Sequence, residues 1–372
     1  MKLKKIQEGK VKFFVPEGKI YDASVFYNPE GELNRDISIA AIQEFQRKFK
    51  RKITICDALA GTGIRGLRYA KEIKGVREVV LNDKNPLAVK LIKKNIKENK
   101  LKKCRANWED ANLLLRESIF DVIDLDPFGS PNIFIDSVAR SIYHKGFLCV
   151  TATDQAALSG TYPETTLRKY GIKSIETEFY NELGVRILIS FIIMNLARYD
   201  RTFVPMLSIS TKHYYKVFGR IEHAGKITKL LEDFGYVNYC AKCGERKLGN
   251  VETYHEINRN NHAFRNCGLI YLGNINDKKF CKDVLNEIKK RNFRLGKEEE
   301  KLLRLLIEEA DMPPFYYDLH SLARKIKMEI PKTDFLIKEL RRKGFKASRT
   351  HFCLTGIKTD ADYKKFLKII GL

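Results

Sequence analysis

Short apolar runs alternate with helix-spaced stretches through the first half of the chain, and each run ends in polar or glycine-rich residues. Ile53-Thr-Ile-Cys-Asp57 is β-branched and reads as a strand, and Glu78-Val-Val-Leu-Asn-Asp83 reads as a second. A third unit ends at Asn107-Trp-Glu-Asp110-Ala111, a fourth run covers Phe120–Ile123, and Phe147–Asp154 reads as the fifth strand. Between them, Leu67–Ile73 and Pro86–Asn99 carry helical spacing. Strands alternating with helices in this way predict an open α/β sheet, whose ligands bind outside the carboxyl ends of the strands.

Upstream, residues 1–34 read as short strands and turns that include Val11–Val15, after which Asn34-Arg-Asp36 opens a helix over Ile37–Phe49. Glu182–Tyr199 is nearly all apolar, but Arg186, Asn195 and Arg198 interrupt it, which predicts a core helix rather than a membrane span. Val204–Ser210 and His213–Ile221 form an expected closing hairpin, so a first domain covers residues 1–223 and a second 224–372. Two domains also suit a chain of 372 residues. The second is smaller and less regular. Residues 298–310 read as helical, and Asp318–Ile330, Lys332–Lys343 and the segment to Phe352 pattern as helix, helix and hairpin, a winged-helix arrangement.

Lys and Arg outnumber Asp and Glu by 69 to 46, a formal net charge of +23, which exceeds what solubility needs and points to nucleic acid. Lys338, Arg341, Arg342 and Lys343 on the predicted second helix, with Lys346 and Arg349 after it, suit phosphates, as do the lysines between Lys93 and Lys103. No signal-peptide pattern follows Met1-Lys-Leu-Lys-Lys, and the expected location is the cytoplasm, with no membrane and no obligate protein partner implied. Eight scattered cysteines read as reduced thiols. Cys240-Ala-Lys-Cys243 is half of a zinc knuckle, but Cys267, His255, His262 and Cys281 form no second pair, so no metal is assigned.

The strand ends carry the chemistry. In Asp57-Ala-Leu-Ala-Gly61-Thr-Gly63-Ile-Arg-Gly66 the glycines admit a ligand to the backbone. Asp57, four residues before Gly61, would repel a pyrophosphate and instead suits a ligand with an ammonium and no phosphate, such as S-adenosylmethionine. Asp83 stands where a carboxylate meets ribose hydroxyls, and Asp110 could take an adenine amino group, with a backbone N–H for the ring nitrogen. Each of these two acids, taken alone, reads more readily as a helix N-cap. In Ile123-Asp-Leu-Asp-Pro-Phe-Gly-Ser-Pro131, Asp126 and the Pro127 carbonyl could accept the N–H groups of an exocyclic amine while Phe128 stacks on the base. The alternative is a turn in which Asp126 caps a helix starting near Pro131 and Phe128 is core. The acids at successive strand ends are hard to explain as separate caps.

Taken together, Val25-Phe-Tyr-Asn-Pro29, Leu33-Asn-Arg-Asp36, the Asp57–Gly66 string, Asp124–Pro131 and Val150-Thr-Ala-Thr-Asp154 resemble the Trm1 family of tRNA guanine-N2 dimethyltransferases. The likeness continues through Phe315-Tyr-Tyr-Asp-Leu-His320, Ser348-Arg-Thr-His-Phe352 and Thr355-Gly-Ile-Lys-Thr-Asp-Ala361. The resemblance implies a class I, Rossmann-like α/β methyltransferase domain followed by a smaller α+β domain containing a winged-helix-like part. It implies S-adenosylmethionine as donor, tRNA as partner, and two methylations of guanine 26. By motif, Arg35 would hold the methionine carboxylate and Arg65 would line the same pocket. Asp83 would take the ribose, and Asp110 with Ala111 the adenine. Asp126, Pro127 and Phe128 would hold the guanine, with Phe26 as second face of the stack. Methylation of another guanine or another exocyclic amine is the nearest alternative. An RNA-binding protein with a disused donor pocket is the alternative from another class.

Overall fold

Every residue of Ile53–Asp57 is buried, as a strand covered on both faces must be. The computed structural model describes residues 2–18, 24–225, 231–250, 264–327 and 329–371. A hairpin of β1 (Leu3–Glu8) and β2 (Val11–Pro16) precedes α1 (Glu32–Phe49). Then follow β3 (Ile53–Asp57), α2 (Ile64–Glu72), β4 (Val76–Asp83), α3 (Pro86–Glu98), β5 (Cys104–Trp108) and α4 (Ala111–Glu117). The unit closes with β6 (Phe120–Leu125), α5 (Ile135–Ser141), β7 (Ile142–Ala152), α6 (Gln155–Leu158), α7 (Pro163–Tyr170), α8 (Tyr180–Ala197), β8 (Arg201–Ser210) and β9 (Tyr215–His223).

Seven strands form one sheet in the order β5-β4-β3-β6-β7-β9-β8. β3 to β7 are parallel, and β9 runs antiparallel to β7 and to β8. The strand order reverses between β3 and β6, which opens a crevice at their carboxyl ends. The expected α/β class and closing hairpin are present. α1 starts earlier than its apolar spacing predicts, because a turn over Pro29–Gly31, capped by the Asn28 side chain, feeds directly into Glu32. Arg35 therefore lies inside the helix rather than ahead of it.

Beyond β9, a three-stranded sheet joins β10 (Phe234–Cys240), β11 (Arg246–Asn250) and β12 (Phe264–Tyr271) in the order β11-β10-β12. Helices α9 (Lys278–Lys289) and α10 (Gly296–Glu309) come next. Then β13 (Tyr317–Asp318), α11 (Leu319–Ile326), α12 (Thr333–Arg342), β14 (Ala347–Arg349), β15 (Gly356–Thr359) and α13 (Tyr363–Ile370) complete the chain, with a sheet order of β13-β15-β14.

The apolar cores cross residue 223. One cluster runs from Val80, Ile123 and Val150 through α8 to Phe234, Ile270 and Phe315, and another joins Ile55, Val122 and Phe147 to Phe280, Val284 and Leu303. Among the described residues, the last segment keeps a core of its own, built on Tyr317, Leu336, Ile357 and Phe366. α8 is the one helix among the described residues long and apolar enough to cross a bilayer, and most of it is buried in the fold. Its Glu182 fastens the last segment: it accepts from Lys358 Nζ of β15 at 2.8 Å, from Arg186 and from the Phe315 N–H at 2.9 Å. Burial opposes that carboxyl's ionisation, but Lys358 and Arg186 hold its pKa down to about 2.

Cys240 ends β10 and interacts with Cys243 across a tight turn. Cys267 lies in the first apolar cluster and Cys281 in the second. His255 and His262 lie outside the described residues. Among the described residues, no three His, Cys, Asp or Glu side chains gather as a metal site would require.

Candidate active site

The carboxyl ends of β3, β4 and β6 open into a cavity of about 890 Å³, a volume in the range of small-molecule sites. Its walls include Phe26, Arg35, Asp57, Gly61, Arg65, Asp83, Asp110, Ala111, Asp126, Pro127 and Phe128, so nearly all residues singled out by sequence converge here. Gly63 lies behind this wall at the start of α2.

Backbone hydrogen bonds shape the donor side. Gly61 has φ +55°, and a Cβ there would lie 3.0 Å from the Phe26 carbonyl, so the loop before β3's helix and the Val25–Asn28 segment meet through a glycine. Asp83 accepts the Gly61 N–H at 2.8 Å through one oxygen and the Asn85 N–H at 2.9 Å through the other. Each oxygen keeps a lone pair for a diol. Asp110 caps α4 by accepting the Asn112 N–H at 2.8 Å, so the N-cap reading of this acid is correct and coexists with its place on the cavity wall. Asn82, which sequence reasoning missed, ties these loops together. Its amide donates to Ala58 and Glu109 carbonyls, both at 3.1 Å, and accepts from Asn107 at 2.9 Å.

Asp57 is 1% exposed and accepts the Gly66 N–H at 2.9 Å. Burial lifts its carboxyl to about 7 despite the nearby Arg65. At neutral pH it is therefore only half ionised, a weaker partner for an ammonium than its position suggests.

Arg35 is already engaged. Its Nε and Nη2 both bond Glu8 of β1 at 2.6 Å, and Nη2 also reaches the Asn28 carbonyl at 3.1 Å. Its Nη1 lies where a Cβ on Gly31 would come within 2.6 Å. Any carboxylate it holds must use Nη1, with Glu8 fixing the rest of the guanidinium. Glu8 was not legible as a site residue; it also accepts from Arg68 Nη1 at 2.9 Å.

Arg65 lines the pocket as expected, but its guanidinium serves Asp126 rather than standing free. Nη2 pairs with Asp126, while Nη1 meets Asn34 Oδ1 at 2.9 Å and Asp124 at 3.2 Å. The Thr151 hydroxyl beside it also favours the ionised form. Burial pushes this carboxyl up, yet Arg65 and Lys216 override it and hold the pKa down to about 2. Asp126 is thus a permanent hydrogen-bond acceptor. The turn after it is pinned by bonds between Gly129 and Thr153: Gly129 N–H to Thr153 Oγ1 at 2.6 Å and Thr153 N–H to the Gly129 carbonyl at 2.9 Å. Gly129 itself takes φ +78°, which explains the glycine. The expected helix start near Pro131 falls instead at Ile135, so Asp126 is no helix cap and Phe128 is 67% exposed rather than core. Phe128 meets Phe26 edge to face, with centroids 4.1 Å apart.

A sheet of this strand order, with a glycine loop after its first strand and acids at the ends of the next two, defines a Rossmann-like methyltransferase domain. More narrowly, the chain belongs to the N2,N2-dimethylguanosine tRNA methyltransferase family, whose model matches residues 8–371. A tRNA (guanine(26)-N(2))-dimethyltransferase of Methanosphaera stadtmanae is 40% identical over 98% of this chain and 96% of its own length. One from Methanothermobacter thermautotrophicus is 38% identical over 98% of both. The structure of Trm1 from Pyrococcus horikoshii with S-adenosyl-L-methionine superposes with a TM-score of 0.90 at 36% identity, covering 99% of this chain and 100% of that one.

Proposed function

We propose that this protein transfers two methyl groups in succession from S-adenosylmethionine to the exocyclic N2 of guanine 26 in tRNA, at the Asp126-Pro127-Phe128 turn. The observation that carries this reading is Asp126: an ionised carboxylate, paired with Arg65, on the wall of the same cavity that holds Asp83 and Asp110.

The chain's residues suit the donor. Asp83 would take the ribose hydroxyls, Asp110 and the Ala111 N–H the adenine edge, and Arg35 Nη1 the carboxylate, with Arg65 alongside. The bound donor supplies a methyl group already activated by its sulfonium. What remains for the protein is positioning and polarisation. Asp126 and the Pro127 carbonyl accept the two N–H bonds of the guanine amine and direct its lone pair away from the ring. Asp126 or water receives the proton displaced by the first transfer. The amine then keeps one N–H, and one acceptor suffices for the second.

Guanine must leave its stack to reach this turn, at a cost of a few kcal/mol that is least at an imperfectly paired junction. Phe128 and Phe26 would receive it. The sheet order β13-β15-β14, with α10, α11 and α12, supports reading the last segment as a winged helix that grips tRNA phosphates. Arg341, Arg342 and Arg349 there are turned toward Glu308, Glu339 and Asp334, exposed pairs that phosphate can replace. Lys93, Lys94 and Lys97 are exposed on α3. Replacement of Asp126 by Ala tests the reading: methyl transfer is lost while tRNA still binds, and retained turnover contradicts the assignment.

A further inference from the structure

We propose that Lys216 is a positioning residue for Asp126, holding it toward the acceptor amine through an array of alternating charge, Lys216–Asp124–Arg65–Asp126. The inference rests on the role given to Asp126 above.

Lys216 lies on β9, directly opposite Thr151 of β7, and is fully buried. Its Nζ donates to Asp124 Oδ1 at 2.5 Å and to Thr151 Oγ1 at 3.0 Å. Asp124, also fully buried, accepts from Arg65 Nη1 at 3.2 Å and from the Tyr69 hydroxyl. Arg65 then pairs with Asp126. A continuous run of ion pairs thus links the lysine to that carboxylate. Arg65, Thr151 and Asp126 line the cavity, whereas Lys216 and Asp124 stand one layer behind it.

A buried ion pair is weak support for stability, since apolar residues of equal volume serve as well. This pair has a different consequence. Without the lysine, Asp124 is left with Arg65 as its counter-charge and draws it away from Asp126. Other groups facing Asp126 do not compensate: Asp57 supplies no positive charge in either of its forms, and Tyr214 is a phenol that burial and Asp126 itself keep protonated. Neutralising both Lys216 and Asp124 leaves Arg65 with Asp126 alone and restores the pairing.

The test uses the full chain, without donor or tRNA for the titration and with both for transfer. Titration of side-chain carboxyl carbons by NMR, with Asp126 assigned by difference from Asp126→Asn, reads its ionisation directly. The pH profile of methyl transfer to tRNA reads its consequence. In wild type, Asp126 shows no titration above pH ~4. Lys216→Met is expected to move the midpoint and the acid limb upward by at least one pH unit. With Asp126 still ionised but no longer held toward the amine, transfer at pH 7 falls about tenfold, tRNA affinity is unchanged, and Asp124→Asn/Lys216→Met recovers. Thr151→Val removes the hydroxyl beside Asp126 that Lys216 Nζ holds, shifts the midpoint the same way, and supplies the result if Lys216→Met does not fold. An unshifted Asp126 in these variants, or a double variant as impaired as the single one, overturns the proposal. If wild type transfers no methyl to tRNA, the functional reading falls, and the carboxyl titration still decides the array.

Discussion

Phe26 and Phe128 touch across the mouth of the cavity, edge to face with centroids 4.1 Å apart. Rings already in contact leave no gap for a planar base, so a guanine entering between them must turn one aside. Phe128, 67% exposed on a loop, is the one free to move.

Phe128→Ala therefore removes one stacking face without touching the donor side. Base–aromatic stacking contributes about 1–3 kcal/mol, so kcat/KM for tRNA should fall roughly 5- to 150-fold. Donor affinity measured by calorimetry should not change. An unaltered kcat/KM would mean that the base binds elsewhere.

Glu8 anchors two buried guanidiniums, Arg35 and Arg68. Burial works against its ionisation, but those cations hold its carboxyl below the ordinary value. Glu8→Gln should cost about 3 kcal/mol of unfolding free energy at neutral pH, the low end for breaking a buried pair, because Arg68 keeps Asp36 and Glu72. A depressed carboxyl stabilises above its unfolded pKa and loses that contribution as pH falls through the folded value. The gap between wild type and variant should accordingly narrow below pH ~4, as urea unfolding will show.

Asp57 behaves in the opposite sense. Its carboxyl is raised to about 7, so the neutral form is the stable one and ionisation penalises the fold progressively between the unfolded value and that pH. Asp57→Asn keeps an acceptor for the Gly66 N–H without the charge. The variant should match wild type near pH 4 and exceed it at pH 8 by on the order of 4 kcal/mol in unfolding free energy. A difference independent of pH would contradict this.

Period and strand-end acids made the sheet legible, because a parallel strand buried on both faces leaves a continuous apolar run and its polar residues collect at the carboxyl end. Asp57, Asp83, Asp110 and Asp126 were found for that reason. Partners contributed from distant strands left no local signal. Glu8 reads as an ordinary hairpin acid until β1 is laid beside α1, and Lys216 reads as a surface lysine until β9 is placed next to β7. Arg35 and Arg65, both on the cavity wall, were reached only through the family resemblance, and Glu8 and Asp124, which hold them, were not reached at all. Residue 223 looked like a domain end because a hairpin finishes there, but apolar side chains of α9 and α10 return to the first sheet. Sequence spacing does not encode such a return.

The most direct measurement is transfer of labelled methyl from S-adenosylmethionine to an unmodified tRNA transcript, with the product nucleoside and its position read by mass spectrometry. The account predicts N2,N2-dimethylguanosine at position 26, preceded in time by the monomethyl form. Label on another base, or no transfer to a tRNA that the protein binds, would contradict it.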